Sequence, residues 1–233
     1  MLYYETVSPG TLSLLRRLVQ IPALNIFRLV GGTSLALQLG HRISVDLDFF
    51  TDKNFDVVEL RRVIELELNT IGMISVSKTG FSCLIENVKC DFYNWSVPFI
   101  EEIINEGELS LDGLKDISAF KLDAIITRKE KKDFFDIYFL LEKFAFKELI
   151  DFYKKKYPYN DIKIAMDALS EIDIADNSED PTLLKEIKWN EAKEKIKTAW
   201  KDFQNEKLRM KDQEREERIR KAEELLRKKR IDE

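Results

Sequence analysis

The segment that most constrains the fold of this chain is Phe27–Phe50, FRLVGGTSLALQLGHRISVDLDFF. The segment predicts an apolar strand, a turn at 31–33, a short helix beginning near Thr33, and a second strand that carries Asp46 and Asp48. Side chains two residues apart on a strand leave the same face about 6 to 7 Å apart. The two carboxylates should therefore point together. The alternate side chains on that strand are expected to point into a core: Val45, Leu47 and Phe49.

Paired carboxylates suit Mg²⁺, which binds one or two protein carboxylates and completes its shell with water and substrate phosphates. Gly31 and Gly32 lack Cβ atoms, so backbone amides near Thr33 can approach a phosphate at the start of the helix. Taken alone, the two glycines could form a simple turn, and the two aspartates could lie on the solvent-exposed face of a strand. Together, and in this order, they indicate phosphoryl or nucleotidyl transfer.

A third carboxylate is predicted at Asp91. Residues Met73–Trp95 have the pattern of three short strands, with turns at 79–80 and 86–87. In the last strand Asp91 lies on the polar face between the apolar Cys90 and Phe92. Asp91 would join the metal site if its strand lies beside the strand of Asp46 and Asp48; otherwise it is a solvated strand residue.

A second informative segment is Lys115–Lys143. If it forms one unbroken helix, Lys121, Arg128 and Lys132 fall in a narrow stripe, with Asp136 about 60° away. The stripe could face a nucleotide, or it could be an ordinary solvated helix face. Asp133 is an alternative helix N-cap, if residues 129–132 form a loop.

The string GGTSLALQLGHRISVDLDFF resembles the signature of the AbiEii/AbiGii toxin family of nucleotidyltransferases, within the DNA polymerase β-like superfamily. Lys121, Arg128 and the run KDFFDIY at 132–138 are similar to later motifs of that family. The resemblance covers roughly residues 27–143. It implies an α/β fold, with a nucleotidyltransferase mixed-sheet core and a C-terminal helical bundle domain.

The resemblance also implies roles for site residues. Asp46, Asp48 and Asp91 would bind Mg²⁺, Lys121 would hold the triphosphate of an NTP, and Asp136 would orient Lys121 or the attacking group.

By the same resemblance the protein would be an enzyme that transfers a nucleoside monophosphate from an NTP to a hydroxyl. It would inhibit growth as a toxin, with tRNA 3′ ends or other RNA as acceptor and an antitoxin partner encoded nearby. Transfer to a small molecule or to a protein stays open, as does a binding module with a degenerate core.

The link between the helix and the aspartate strand holds further candidates. Arg42 could contact phosphate oxygens through its planar guanidinium, as could Arg128 farther along the chain. Ser44 shares the predicted strand face of the aspartates, where it could touch a phosphate, become modified, or be a plain strand hydroxyl. His41 could act as a base, although a hydrogen bond that shapes the loop is the favoured interpretation.

Composition narrows the class of protein. With 233 residues, of which 44% are hydrophobic, the chain can form two domains, predicted at residues 1–110 and 111–233. No run approaches the roughly 20 apolar residues of a membrane span, and the first ten residues lack the features of a signal peptide. A cytoplasmic protein with no membrane partner is expected. Cys83 and Cys90 should face each other as reduced, buried residues, and one histidine argues against structural zinc.

Helices are predicted outside the motif regions. One spans residues 56–70, and others are broken near Tyr157-Pro158. A long charged helix or a pair of helices follows from Leu183, after an acidic connection at 173–180. The basic run at 154–156 could contact a large acceptor or could be a solvated helix end.

Overall fold

The computed structural model describes residues 1–68 and 72–229, with side chains through residue 222. Its strands are β1 Arg28–Leu29, β2 Leu47–Thr51, β3 Gly72–Val76, β4 Gly80–Ile85, β5 Val88–Asn94, β6 Ile104–Glu106 and β7 Leu109–Leu111. Its helices are α1 Pro9–Leu18, α2 Gly31–Leu39, α3 Val57–Leu68, α4 Leu114–Thr127, α5 Lys131–Leu140, α6 Phe146–Lys156, α7 Ile162–Ser170 and α8 Trp189–Lys229.

The strands form one mixed sheet in the order β3-β4-β5-β2-β1-β7-β6. Two neighbouring pairs are parallel, β2 with β5 and β1 with β7, and the others are antiparallel. A mixed sheet followed by helices confirms the predicted α/β fold class. The short strands β6 and β7, which extend the sheet beyond β1, were not predicted.

The β4–β5 hairpin has the predicted register. Glu86 and Asn87 form its two-residue turn with φ of 52° and 65°, as expected where both central residues of a hairpin turn are left-handed. Counting outward from that turn pairs Cys83 with Cys90. Both cysteines are buried and free. This register sets which face of β5 each later residue occupies.

The buried apolar residues form two clusters. The first, which we call the sheet core, packs α1 and α3 against the sheet through residues such as Leu15, Ile64 and Phe92. The second, the helical core, joins α4 to α8 and receives Leu35 and Leu39 of α2. Helix α2 thus has side chains in both clusters, since Leu37 belongs to the sheet core. The turn that precedes α2 is held where the clusters meet.

Three predicted features differ in the structure. Residues 115–143 form two helices, because the chain turns at Lys129, whose φ is 46°; the stripe drawn on one unbroken helix is therefore wrong. The last helix begins at Trp189 instead of Leu183, because the preceding residues pair with residues 41–43. Val45 is 59% exposed, since it lies before β2 and outside the core.

Other predicted elements agree. Helix α3 begins after Asp56, whose carboxylate accepts the amides of Val58 and Glu59; the predicted end at Thr70 lies outside the described residues. Helices α6 and α7 are interrupted at the predicted Tyr157-Pro158 position. Within the described part of the chain, every helix is too short or too polar to cross a membrane.

The basic run at 154–156 is only partly a surface feature. Lys154 and Lys155 are exposed, but Lys156 is 1% exposed. Its ammonium lies 2.6 Å from the Asp116 carboxylate and over the rings of Phe99 and Phe120. Lys156 therefore links α6 to α4 and cannot serve as an acceptor contact.

Candidate active site

The centre of the candidate site is a pair of carboxylates on adjacent parallel strands. Asp48 on β2 is in register with Asp91 on β5. Their neighbours Leu47, Cys90 and Phe92 are fully buried in the sheet core, so strand alternation turns both aspartates to the opposite face. Asp46 precedes β2 but lines the same cavity. The structure thus brings together all three predicted carboxylates.

These carboxylates crowd one another. Burial raises the pKa of Asp48 to about 6, and the charges of Asp91 and Asp46 add to the rise. One oxygen of Asp91 is buried without a hydrogen-bond partner among the described residues. Its other oxygen accepts from Lys89 Nζ at 2.8 Å. A cation other than Lys89 would relieve this repulsion and satisfy the unpaired oxygen.

The glycine turn packs directly against the carboxylates. Gly31 has φ +66°, and a Cβ there would lie 2.6 Å from Asp48 Oδ2. A Cβ on Gly32 would lie 2.6 Å from Nη2 of Arg42. Gly31 requires glycine, since its backbone is left-handed and Asp48 leaves no room for a side chain. A side chain at Gly32 would instead displace the guanidinium of Arg42. Helix α2 begins at Gly31, two residues earlier than predicted, so its first turn, whose amides have no partner within the helix, starts next to Asp48.

Thr33 and Ser44 connect that turn to the aspartate segment. The Thr33 hydroxyl is buried and hydrogen bonds to the Asp46 carbonyl and to Ser44 Oγ, the latter at 2.9 Å. Ser44 lines the cavity beside Gly32. The Thr33 side chain is therefore committed within the protein, which leaves its backbone amide for a phosphate.

Opposite the carboxylates lies a group that we call the charge cluster: Arg42, Lys121, Arg128, Asp133 and Asp136. All of them are buried except Arg128, whose side chain is 46% exposed. Asp136 Oδ1 accepts from Arg42 Nε at 2.7 Å, and Asp136 Oδ2 accepts from Arg42 Nη2 at 2.8 Å. Lys121 Nζ lies 2.6 Å from Asp136 and 3.1 Å from Asp133. Arg128 donates twice to Asp133, at 2.7 and 2.8 Å. Three cations against two carboxylates leave this wall one positive charge.

The cations govern the titration of the two carboxylates. Burial alone would raise the pKa of Asp136, but Arg42 and Lys121 hold it well below its usual value. Burial is likewise outweighed at Asp133, whose pKa Lys121 and Arg128 lower. Both aspartates thus stay ionised and keep the cations in place.

His41 supports the same cluster. Its ring is fully buried, and Nε2 lies 2.7 Å from Asp136 Oδ1. Burial lowers the pKa of His41 despite the hydrogen bond to Asp136. A neutral imidazole beside an ionised carboxylate must donate through Nε2. His41 therefore orients Asp136, as the favoured interpretation of the sequence expected.

Arg42 has less freedom than the sequence suggested. Each of its three nitrogens donates within the protein, to Asp136 or to the Ile43 carbonyl. Two of its five N–H groups remain, and Nη2 is next to Gly32. Asp133 lies in the first turn of α5, whose N-cap is Glu130, so the alternative of Asp133 as an N-cap is wrong.

Two cavities meet at the carboxylates and share Gly32, Asp48, Asp91, Lys121 and Arg128. One, which we call the aromatic lobe, has a volume of about 240 Å³. The other, the cationic lobe, has about 280 Å³. The further residues of the aromatic lobe include Phe50, Trp95, Phe120, Asp123 and Thr127. Those of the cationic lobe include Arg42, Asp46, Lys89, Lys132 and Thr182.

The residues fit a divalent cation that is completed by its substrate. Among the described residues no three His, Cys, Asp or Glu side chains form a closed metal cluster. Mg²⁺ does not need such a cluster, because one or two carboxylates with water and phosphate oxygens complete its shell. The unpaired oxygen of Asp91 and the raised pKa of Asp48 are the observations that match it.

Sequence reasoning missed several residues of the cleft. Lys89 is two residues from Asp91 on the same strand face, so alternation alone could have placed it. The aromatic lobe had no local signal, because Phe50, Trp95 and Phe120 come from three separate segments. Phe50 and Trp95 stack, and Phe120 meets both edge-to-face, with 5.1 to 5.8 Å between ring centroids. Thr182 reaches the cleft through pairing of the connection with Ile43.

Comparison with known proteins identifies relatives in sequence and in fold. Residues 13–88 match the family described as nucleotidyl transferase AbiEii toxin, type IV toxin–antitoxin system. An uncharacterized protein of Aquifex aeolicus (strain VF5) is 34% identical over 195 residues, which are 81% of this chain and 93% of that protein.

Two crystal structures share the fold. A candidate nucleotidyltransferase from H. pylori has a TM-score of 0.58 at 20% identity, covering 87% of this chain and 98% of its own. JHP933 from Helicobacter pylori has a TM-score of 0.52, also at 20% identity, covering 88% and 98%.

Proposed function

Because the chain belongs to the AbiEii family of nucleotidyltransferase toxins, we propose that it transfers a nucleoside monophosphate from an NTP to the 3′ hydroxyl of a tRNA, with Mg²⁺ as cofactor. The family's type IV toxin–antitoxin assignment supports a further element of this proposal, a cognate antitoxin protein as partner. The protein would act as the growth-inhibiting member of that pair.

One observation carries the proposal. Asp48 and Asp91 face the cleft side by side at the Gly31-Gly32 turn, where the two lobes meet. A transferase of this type needs carboxylates, exposed helix amides and cations within reach of one triphosphate. The close packing of Gly31 against Asp48 places the start of α2 next to these carboxylates.

The carboxylates, the first amides of α2 and the cations would each have a separate role in the reaction. Asp48 and Asp91, with Asp46, would hold Mg²⁺, which when bound neutralises phosphate oxygens and polarises the α-phosphorus toward attack. The first amides of α2 would bind a phosphate at the positive end of the helix. Lys121 and Arg128, kept in place by Asp133 and Asp136, would stabilise the charge that develops on the leaving pyrophosphate.

The two lobes suggest how the nucleotide lies. The cationic lobe has the charges that a triphosphate requires, and the aromatic lobe has aromatic rings against which a nucleobase can pack. The residues common to both lobes would then lie at the phosphates nearest the sugar. The acceptor hydroxyl would enter beside Asp48 and Asp91.

The test is transfer of label to RNA. The protein is incubated with Mg²⁺, total cellular RNA and each NTP labelled at the α-phosphate, and the products are separated by size. We expect label in RNA of tRNA length with the wild-type protein and none above background with Asp48→Asn.

Asp52→Asn is the matched control, because Asp52 is exposed just beyond β2 and should leave labelling unchanged. Label that enters a small molecule or a protein instead of RNA would favour the other acceptor classes. Equal labelling of RNA by wild type and Asp48→Asn would contradict the assignment of the site.

A further inference from the structure

The distal part of α8 is a helix that extends beyond the rest of the molecule. Phe203 is the last residue of α8 in the helical core. Every residue from 204 to 222, which we call the distal segment, is exposed, and α8 continues as a helix to Lys229. Helices in proteins gain most of their stability from packing of an apolar face. The distal segment has no such packing, so its charges are the feature that a partner would meet.

Those charges are segregated around the helix. The distal segment contains seven Lys or Arg and five Asp or Glu residues. At about 100° per residue, four of the cations fall within about 80° of one another, and no acidic residue of the segment falls among them. We call these four the cationic stripe: Lys207, Lys211, Arg215 and Arg218. The stripe has a charge of +4, whereas the other three cations and the five carboxylates give the rest of the segment a charge of −2.

The spacing of the stripe suits a polyanion. Lys207 and Arg218 are 11 positions apart in sequence, which is about 16 Å along the helix axis. Phosphates of one nucleic-acid strand recur at intervals of only a few Å, so the stripe can meet several of them. Among the side chains that the structure describes, none of the four forms an ion pair, whereas Lys221 on another face pairs with Glu217.

The composition of this face favours nucleic acid over protein. The centres of protein interfaces are enriched in aromatic residues and depleted of Lys, and the other residues in the window of the stripe are Gln204 and Ala222. A second copy that used the same patch would bring like charges together. The whole chain has a net charge of −5, so the stripe is not a consequence of a basic composition.

The cationic surface continues from α8 onto the helical bundle. A groove of about 180 Å³ is lined by residues of α6, α7 and α8. Its charged residues are three lysines, Lys147, Lys154 and Lys207, and two carboxylates, Asp151 and Glu206. Lys207 therefore belongs both to the stripe and to the edge of this groove. A polyanion bound along α8 can also contact α6.

We propose that the cationic stripe of α8 binds the sugar–phosphate backbone of the acceptor tRNA outside the cleft. This inference rests on the proposed function, since it requires a tRNA as the acceptor. The stripe residues line neither lobe of the cleft. Backbone contacts of this kind fix the position and orientation of a nucleic acid without reading its sequence. The stripe would thus hold the body of the tRNA while its 3′ end enters the cleft.

The experiment compares two triple variants of the full chain, each of which replaces one Lys and two Arg of the distal segment by glutamine. Glutamine keeps a high helix propensity, so circular dichroism should show equal helix content in both. The stripe variant combines Lys211→Gln, Arg215→Gln and Arg218→Gln. The control variant combines Arg209→Gln, Arg220→Gln and Lys221→Gln.

Affinity for fluorescently labelled, unfractionated tRNA is measured by anisotropy over a series of KCl concentrations, at fixed Mg²⁺ and without NTP. Each phosphate contact contributes about 0.7 to 0.9 to the slope of log affinity against log salt. The slope should therefore be smaller by about 2 to 3 in the stripe variant, with a loss of affinity at low salt of at least about tenfold. The control variant should keep the wild-type slope and stay within about twofold of the wild-type affinity.

Labelling kinetics separate this inference from the proposed function. The stripe variant should label tRNA with a raised KM for tRNA and an unchanged kcat, as expected when only binding of the substrate is weakened. Equal losses of affinity in the two triple variants, or a wild-type slope in the stripe variant, would overturn the role of the stripe, while labelling of RNA by the wild type would still support the proposed function. A wild-type protein that binds tRNA through the stripe but does not label it would contradict the proposed function alone. If the stripe variant changes the sedimentation of the protein without RNA, the stripe is a contact between copies of this chain and the inference is overturned.

Discussion

The two walls of the cleft each contain a pair of aspartates, and their surroundings give the pairs opposite properties. Asp48 faces Asp91 with Lys89 as a half-exposed counter-ion, and the pKa of Asp48 is raised to about 6. Asp133 and Asp136 are fully buried, yet three cations hold their pKa values down. The residue type is the same, so the number of neighbouring positive charges makes the difference.

This contrast separates two uses of a carboxylate. The charge cluster is complete without a ligand, because its two aspartates position cations that a triphosphate can then meet. The pair on β2 and β5 is incomplete, because repulsion and an unpaired oxygen persist until a cation arrives. Substitutions on the two walls should therefore change stability in opposite directions.

The largest effect is expected for Asp136→Ala. Removal of this carboxylate leaves Arg42 and Lys121 buried without their shared partner, and breaking a buried pair in this way typically costs about 3 to 5 kcal/mol. The free energy of unfolding, measured by urea denaturation, should fall by that amount. Asp180→Ala is the control: Asp180 pairs with Lys131 but is 75% exposed, so the loss should stay below about 1 kcal/mol. Equal losses of unfolding free energy in the two variants would show that the buried ion pairs of Asp136 stabilise the fold no more than the exposed pair of Asp180.

A smaller effect of opposite sign is expected for Asp48→Asn without metal. The folded pKa of Asp48 lies above its ordinary value of 3.8, so the folded protein binds more protons than the unfolded chain between about pH 4 and 6. Stability should fall as the pH rises through that window. Asp48→Asn does not lose stability in this way, because asparagine does not titrate. The pKa difference of about two units should make the variant more stable than the wild type by up to about 3 kcal/mol at pH 7.

The measurement is thermal or urea unfolding with a chelator present, from pH 4 to pH 7. The advantage of Asp48→Asn should shrink toward pH 4, and added Mg²⁺ should stabilise the wild type more than the variant. Asp52→Asn should follow the wild-type curve. A variant that is less stable than the wild type at pH 7 in chelator would show that the carboxylates are not in conflict.

The sequence predicted the carboxylate pair on β2 and β5 better than it predicted the charge cluster. Strand alternation is local, so the positions of Asp48 and Asp91 followed from their neighbours and from a two-residue turn at Glu86-Asn87. The adjacency of β2 and β5 needed the family resemblance, since no short-range pattern determines which strands pair in parallel.

The contacts within the charge cluster could not be predicted from helical periodicity. Lys121 and Asp136 meet because α4 and α5 fold back at Lys129, and a single left-handed residue there is not encoded by a proline or glycine. The partners of Asp136 also come from Arg42 and His41, which are more than ninety positions away in sequence. Contacts of this range depend on how the helical core packs against α2.

The smallest effect is expected for Lys89→Met, which tests the counter-ion of the incomplete wall. Lys89 Nζ lies 2.8 Å from Asp91 Oδ2 and is 43% exposed, so it competes with a metal ion for the charge of the same carboxylate and repels the ion. An exposed pair of this kind is worth about 0.2 to 1 kcal/mol. Its removal should therefore tighten Mn²⁺ binding to the nucleotide-free protein by roughly 1.4-fold to fivefold. Isothermal titration calorimetry or the electron paramagnetic resonance spectrum of free Mn²⁺ measures this affinity. Lys53→Met is the control, since Lys53 is exposed. Weaker binding in Lys89→Met would mean that Lys89 holds Asp91 in position for the metal, and the two walls would then both depend on built-in cations.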